Sequence, residues 1–315
     1  MKRVFLVFPG QGSQFVGMGK DVYESFEYVR EMYDKASQVV DVDVKKISFE
    51  GPEDILKDTS NAQPCIFVHS AAILEVLKRE SGNFEVIGVA GHSLGEYTAL
   101  YSAGVFNFHD GVRIVRERGR LMANADPEGK GGMAAVIGLE PEKIKEICEA
   151  ITKEGNYVEP VNYNSNDQVV ISGYKEAIKI AEVKLKEAGA KRVIPLAVSG
   201  AFHSKLMESA AKEFRKFLDG FSFNKPSFRV FANYNANEYP SDEKEIKDLL
   251  EKQLVSPVLW VDIVKRIEEL SPDLVIEVGP GQVLKGLIKK TSATLNVVTT
   301  STFDGIKEVL NTLNS

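Results

Sequence analysis

Two cysteines in 315 residues, Cys65 and Cys148, are too few for a disulfide framework, and no Cys-x-x-Cys spacing offers a zinc site. Each is flanked by aliphatic residues, so two reduced, buried thiols are expected. An excess of positive charge is also missing. Lys and Arg number 39 against 45 Asp and Glu, and the net charge of −6 argues against a general nucleic-acid binder. No apolar run approaches the ~18 residues of a membrane span. The apolar stretch at residues 4–8 imitates a signal peptide only until Pro9-Gly10-Gln11-Gly12 breaks it, without a cleavage site. Internal repeats, low-complexity segments and long charge runs are absent too. A cytoplasmic, monomeric protein without metal or bound cofactor is expected. Histidine is scarce, with four in the chain, and that scarcity becomes useful below.

What is present fits an ordinary globular chain, 43% hydrophobic and 27% charged. At about 100–200 residues per domain, the length suits one large domain or two smaller ones. Residues 4–8 form a continuous apolar run ending in a Gly-rich turn, as a buried parallel strand would. Helical patterns follow at 23–39 and at 62–78, the second opening on Gln63-Pro64 with proline in the first turn. Residues 86–90 read as a second buried strand and 96–103 as a helix, with Glu96 in the first turn, where negative charge suits the helix dipole. An arginine-rich helix is expected over 110–122. From Gly131 the rhythm changes to strand, helix, strand, strand, helix, strand (133–137, 141–151, 157–163, 169–172, 175–188 and 192–196), the order of a ferredoxin-like unit. Helices at 209–218 and 245–254 and a strand at 274–278 then resume the first pattern. The expected fold is α/β. A large α/β-hydrolase-like domain with a mainly parallel sheet (1–128 and 198–315) is interrupted by a small ferredoxin-like domain (129–197).

Gly91-His92-Ser93-Leu94-Gly95 lies between an expected strand and an expected helix, which is the nucleophile-elbow pattern. A sharp strand-to-helix turn crowds backbone against backbone, so glycines flank the nucleophile. The turn lifts the Ser93 hydroxyl to a helix N-terminus, where the Leu94 N–H can face the oxyanion of a tetrahedral intermediate. A serine hydroxyl needs a base. His69 sits in an apolar helix run and reads as a core residue. His109 reads as a helix-capping loop residue, and His92, adjoining the nucleophile, as packing behind it. His203 remains, in the Gly/Ala/Ser-rich turn Ser199-Gly200-Ala201-Phe202-His203-Ser204.

Phe8-Pro9-Gly10-Gln11-Gly12-Ser13-Gln14, Gly91-His92-Ser93-Leu94-Gly95-Glu96, Arg118-Gly119, Phe202-His203-Ser204 and Glu277-Val278-Gly279-Pro280-Gly281 occur here in that order. Together they resemble the malonyl-CoA:acyl-carrier-protein transacylase family of fatty-acid synthesis, which includes polyketide acyltransferase domains. The likeness runs over nearly the whole chain. It implies Ser93 as nucleophile, His203 as general base, and the N–H groups of Gln11 and Leu94 as oxyanion hole. Arg118 matches the arginine that binds the acyl group's free carboxylate, and Gln253 the glutamine that orients the histidine through a backbone carbonyl. Phe202, Asn162 and His92 are pocket candidates. Phe202 before the histidine is similar to malonyl-selective polyketide acyltransferases. Two departures stand out: Gly200-Ala201-Phe202 lacks a proline common before the histidine, and the segment from Asn162 to Asp167 lacks the family's Pro-Gly.

The chemistry of Arg118 agrees with that reading, because a guanidinium can grip a carboxylate through two parallel hydrogen bonds. Arg113, Arg116 and Arg120 are read as solvated helix charges. The resemblance implies malonyl-CoA as substrate and acyl carrier protein as a transient partner. The carrier is usually acidic, so a chain of net charge −6 needs a local basic surface, for which Lys285, Lys289 and Lys290, or Lys191 and Arg192, are the candidates. Two other readings stay open: a serine esterase or thioesterase with an acidic third residue, and a catalytically dead carrier-binding module.

Overall fold

The computed structural model describes residues 1–82 and 84–315. Among the described residues nine strands form two sheets. The first is parallel throughout, made of β1 (Lys2–Phe8), β2 (Phe84–Gly91), β7 (Val230–Phe231), β8 (Leu274–Glu277) and β9 (Val297–Thr299) in the order β7-β2-β1-β8-β9. Parallel neighbours need crossovers, and helices supply them on both faces. Side chains alternate along β1 accordingly. Val4, Leu6 and Phe8 enter one core, while Phe5 and Val7 enter a second core on the other face.

The second sheet is antiparallel: β3 (Gly131–Ile137), β4 (Val158–Ser165), β5 (Gln168–Tyr174) and β6 (Arg192–Pro195), ordered β4-β5-β3-β6. One face carries Ala134, Val136, Val169 and Ile171 into a third core with the helices Pro141–Lys153 and Lys175–Glu187. The other face turns Met133, Ala135 and Val170 toward the first core. The free edge of β4 is tied to the larger unit at Val258, whose N–H donates to Val161 O at 2.8 Å and whose carbonyl accepts from Tyr163 N–H at 3.0 Å. A cleft is left between the second sheet and the C-terminal ends of β1 and β2. Cys65 and Cys148 are buried in different cores, so they cannot pair. Among the described residues no helix is long and apolar enough to cross a membrane.

Several expectations are corrected. The helix expected over 23–39 is two, Lys20–Ser25 and Glu27–Val39, separated by an extended Phe26. Pro64 does not sit in a first turn, because the helix runs Thr59–Glu80 and begins at Asp58, whose side chain accepts from Ser60 N–H. Proline removes the donor that would have served the Ser60 carbonyl. Arg116 supplies it instead, through an NH1–O bond of 2.7 Å. Arg116 is therefore no solvated charge: its guanidinium also meets Asp41 and Asn61 and is 15% exposed, whereas those of Arg113 and Arg120 are half exposed. His109 lies within the first turn of the helix Phe108–Asn124, which Asn107 caps by accepting from Asp110 N–H.

Candidate active site

The elbow is built by close backbone crossings. A Cβ at Gly91 would overlap the backbone of Gly95, and one at Gly95 would overlap the Phe8 carbonyl at the end of β1. Only glycine allows β2 to turn this tightly into the helix Gly95–Ser102. Ser93 at the apex takes φ 50°, and His203 takes φ 60°. Such left-handed geometry is costly for residues with a Cβ, on the order of 1–3 kcal/mol, and persists where the surroundings impose it. Asn233 is one source of that constraint. Its Oδ1 accepts from Ser93 N–H at 2.7 Å, and its Nδ2 donates to the Gly91 carbonyl at 2.7 Å.

His203 Nε2 lies 2.8 Å from Ser93 Oγ, and its Nδ1 lies 2.8 Å from the Gln253 carbonyl. A carbonyl can only accept, so the ring proton sits on Nδ1, leaving Nε2 free to take the serine proton. Burial, with the nearby charge of Arg118, pushes the imidazole down to about 3, against the pull of the Gln253 carbonyl. The ring is thus held neutral, as a base must be. Among the described residues no carboxylate meets Nδ1, so the acidic third member of a hydrolase triad has no counterpart here.

Arg118 is 1% exposed, yet every contact of its guanidinium is to a neutral group. NH1 donates to Gln63 Oε1 at 2.8 Å; NH2 donates to Gln253 Oε1 at 3.0 Å and to Ser93 Oγ at 3.1 Å. The guanidinium carbon sits 5.0 Å over the Tyr97 ring, and Nε has no partner among the described residues. A buried cation that no carboxylate touches among the described residues, one hydrogen bond from a nucleophile, is suited to an anionic substrate.

The Ser93 hydroxyl opens into a cavity of about 330 Å³ between the two units. Gln11, Leu94, Arg118 and His203 line it from the larger unit; Met133 and Asn162 line it from the second sheet, and Leu196 from just past the end of β6. Neither the Gln11 nor the Leu94 N–H forms a hydrogen bond among the described residues. The Gln11 side chain turns aside to Thr59, with Nε2 3.1 Å from Oγ1. Phe202 is buried against the same cavity. Asn162 also lines it, with its Oδ1 buried and without a partner among the described residues. His92 reaches the wall, but its Nε2 is engaged by Asn164 Oδ1 at 2.8 Å and its ring packs on Trp260. His69 lies elsewhere, buried beside Tyr33. Among the described residues no group of three or more His, Cys, Asp or Glu could hold a metal.

Of the surface cations, Lys191, Arg192, Lys289 and Lys290 are exposed and Lys285 is half-buried; Lys290 is also paired with Asp167 at 3.2 Å. A larger groove of about 1000 Å³ lies between the helices Pro141–Lys153 and Trp260–Leu270 and contains neither Ser93 nor His203. Gln63, Glu96, Asn233 and Tyr239 went unread as site residues in the sequence. Their contacts with the elbow and with Arg118 span 55 to 143 residues or run through one another, and no local pattern marks them.

A strained serine at a helix N-terminus, a neutral histidine and a buried cation make up the apparatus for taking an acyl group onto an enzyme hydroxyl. The chain belongs to the acyl transferase domain family, whose model matches residues 4–307, and it is an acyltransferase. It is 40% identical over 307 residues to the malonyl CoA-acyl carrier protein transacylase of Staphylococcus aureus, covering 98% of each chain. Its structure is similar to that of an acyl carrier protein S-malonyltransferase from Vibrio cholerae, at 41% identity and a TM-score of 0.93, covering 98% of this chain and 99% of that one. A malonyl-transacylase in complex with its type II polyketide acyl-carrier protein is also similar, at 39% identity and a TM-score of 0.94 with the same coverage.

Proposed function

We propose that this acyltransferase moves the malonyl group of malonyl-CoA to the phosphopantetheine thiol of an acyl carrier protein, through an ester on Ser93, and so supplies fatty-acid synthesis. The observation that carries this reading is Arg118, a buried guanidinium with only neutral partners, 3.1 Å from the nucleophile. A malonyl thioester brings the carboxylate that this cation lacks; an acetyl thioester does not.

In the first half-reaction Ser93 Oγ attacks the thioester carbonyl while His203 Nε2 takes the hydroxyl proton. The N–H groups of Gln11 and Leu94 hold the oxyanion. The C–S bond breaks, and His203 returns the proton to the departing CoA thiolate. In the second half-reaction the carrier thiol enters, His203 takes its proton, the sulfur attacks the ester, and Ser93 Oγ leaves with the proton. The Gln253 carbonyl keeps the imidazole in one tautomer throughout. Arg118 lowers the basicity of His203 in the free enzyme, and a malonyl carboxylate on Arg118 offsets that. The cargo thereby strengthens the base that processes it.

Residues 1–128 and 198–315 form an α/β-hydrolase-like catalytic domain in this reading, and 129–197 an inserted ferredoxin-like domain. The strand order β4-β5-β3-β6, with both helices on one face, supports the second assignment. A cytoplasmic monomer that meets its carrier transiently completes the proposal, with Lys285, Lys289 and Lys290, or Lys191 and Arg192, as docking cations. The test is transfer from a panel of acyl-CoAs to a carrier protein, with hydrolysis followed alongside. Malonyl transfer should far exceed both acetyl transfer and malonyl-CoA hydrolysis; hydrolysis matching transfer would favour a thioesterase.

A further inference from the structure

Glu96 is a buried carboxylate that the transfer cycle leaves without a task. It is 1% exposed and forms no ion pair among the described residues. Donors converge on it from three directions. Oε1 accepts from the Tyr239 hydroxyl and, at 3.2 Å, from Asn233 N–H; Oε2 accepts from Gln253 Nε2. Burial pushes its carboxyl up to about 7, while Tyr239, Gln253, the Asn233 N–H and Arg118 pull it back down.

The bond to Gln253 has a consequence for the cation. The Gln253 amide lies between two carbonyl-type acceptors and a guanidinium. Its Nε2 donates to Glu96 and, at 2.8 Å, to the Ser93 carbonyl; its Oε1 accepts from Arg118 NH2 at 3.0 Å. Turned over, the amide would set its NH2 group against the guanidinium and its oxygen against a carboxylate. The ionised carboxylate forbids that, because it accepts at both oxygens, and the Tyr239, Gln253 and Asn233 donors favour that form. The same Arg118 NH2 also reaches Ser93 Oγ.

We infer that Glu96 is the positioning residue for substrate recognition: it fixes the sense of the Gln253 amide, and through it aims the Arg118 guanidinium at the space beside Ser93 where a substrate carboxylate arrives. The effect on His203 is separate, since that ring is held by the Gln253 backbone carbonyl and not by its amide. The inference rests on the malonyl reading of Arg118.

Glu96→Gln tests it. Glutamine offers one acceptor oxygen where the network uses two, so its own NH2 must face either Gln253 Nε2 or the Asn233 N–H. The measurement is kcat/KM for acylation of Ser93 by malonyl-CoA and by acetyl-CoA, read as CoA release. Labelling of Ser93 by an uncharged phosphonofluoridate reports the Ser93–His203 pair without a substrate carboxylate for Arg118 to meet. The malonyl-to-acetyl ratio should fall at least about tenfold, the loss of roughly one charge-assisted hydrogen bond, while labelling changes less than about threefold. Glu96→Asp, which keeps two acceptor oxygens, should retain more of the ratio. An equal fall for both acyl groups, or an unchanged ratio, overturns the inference. If Glu96→Gln does not fold, Tyr239→Phe removes one donor from the same carboxylate and is read in the same way. A wild-type enzyme with no preference for malonyl overturns the malonyl reading itself and this inference with it.

Discussion

Replacing Arg118 with methionine separates the charge from the packing. Methionine fills much of the same volume over Tyr97, so a change in acyl preference can be assigned to the guanidinium. Removing one partner of a desolvated, hydrogen-bonded charge pair costs about 2–5 kcal/mol. At about 1.4 kcal/mol per tenfold, that is roughly a 30- to 5,000-fold loss of kcat/KM with malonyl-CoA. Acetyl-CoA has no carboxylate to strand, and its reaction loses nothing by that route. It gains by another, because Arg118 is one of the causes of His203's lowered basicity. Acetyl transfer should therefore hold or rise while malonyl transfer collapses. Gln63 Oε1 loses its donor, at about 1–3 kcal/mol for a buried acceptor left unpaired, while Gln253 Oε1 keeps the Tyr97 hydroxyl at 3.4 Å; removal of a buried charge offsets the loss. A thermal melt checks that the variant is folded, and stopped-flow release of CoA from each acyl-CoA provides the comparison. Equal losses for malonyl and acetyl would refute the reasoning and make Arg118 a structural residue.

The remaining predictions concern pH and the backbone. Because burial and Arg118 disfavour the protonated ring, His203 stays neutral as pH falls. Phosphonofluoridate labelling of Ser93 should then be flat from about pH 7 to about pH 5, and a limb at the ordinary imidazole value of about 6.5 would contradict it. Glu277, buried while accepting from the Leu284 and Lys285 N–H groups, is pushed by burial from 4.5 up to about 7. A raised carboxyl contributes stability that is present below about pH 4.5 and lost as pH rises through about 7. The gap corresponds to on the order of 3 kcal/mol. Glu277→Gln should therefore lose less Tm between pH 5 and pH 8 than the wild type, and an identical loss would count against it. Gly95→Ala, whose methyl would overlap the Phe8 carbonyl, should cost about 3 kcal/mol or more. Gly286→Ala, in a helix with open space around it, should stabilise by about 0.5–1 kcal/mol; chemical denaturation compares the two.

The parts legible in sequence are those fixed by local geometry. Ser93 was visible because a tight strand-to-helix turn demands glycines at 91 and 95, and that demand leaves a spaced pattern. The β-α-β-β-α-β order of the second unit was visible because strand and helix periods differ along the chain. His203 and Arg118 needed the family likeness, because nothing local distinguishes Arg118 from Arg116 in one arginine-rich helix. Arg116 in fact serves the carbonyl that Pro64 leaves free, a link across 56 residues that no periodicity carries. The network of Glu96, Asn233, Tyr239 and Gln253 was illegible for the same reason. Glu96 reads as a first-turn acid suited to a helix dipole, and only the fold turns it inward onto Gln253. The short strands β7 and β9, two and three residues long, offer too little chain to show a period.

The central claim is a malonyl ester on Ser93 that passes to a carrier thiol. The direct measurement is mass spectrometry of the enzyme after brief exposure to malonyl-CoA, followed by addition of phosphopantetheinylated carrier protein. The account predicts a malonyl adduct confined to the peptide containing Ser93, lost from the enzyme and regained on the carrier when the carrier is added, and absent in Ser93→Ala. An adduct that persists in Ser93→Ala, or carrier malonylation with no adduct on the enzyme at any time, would contradict it.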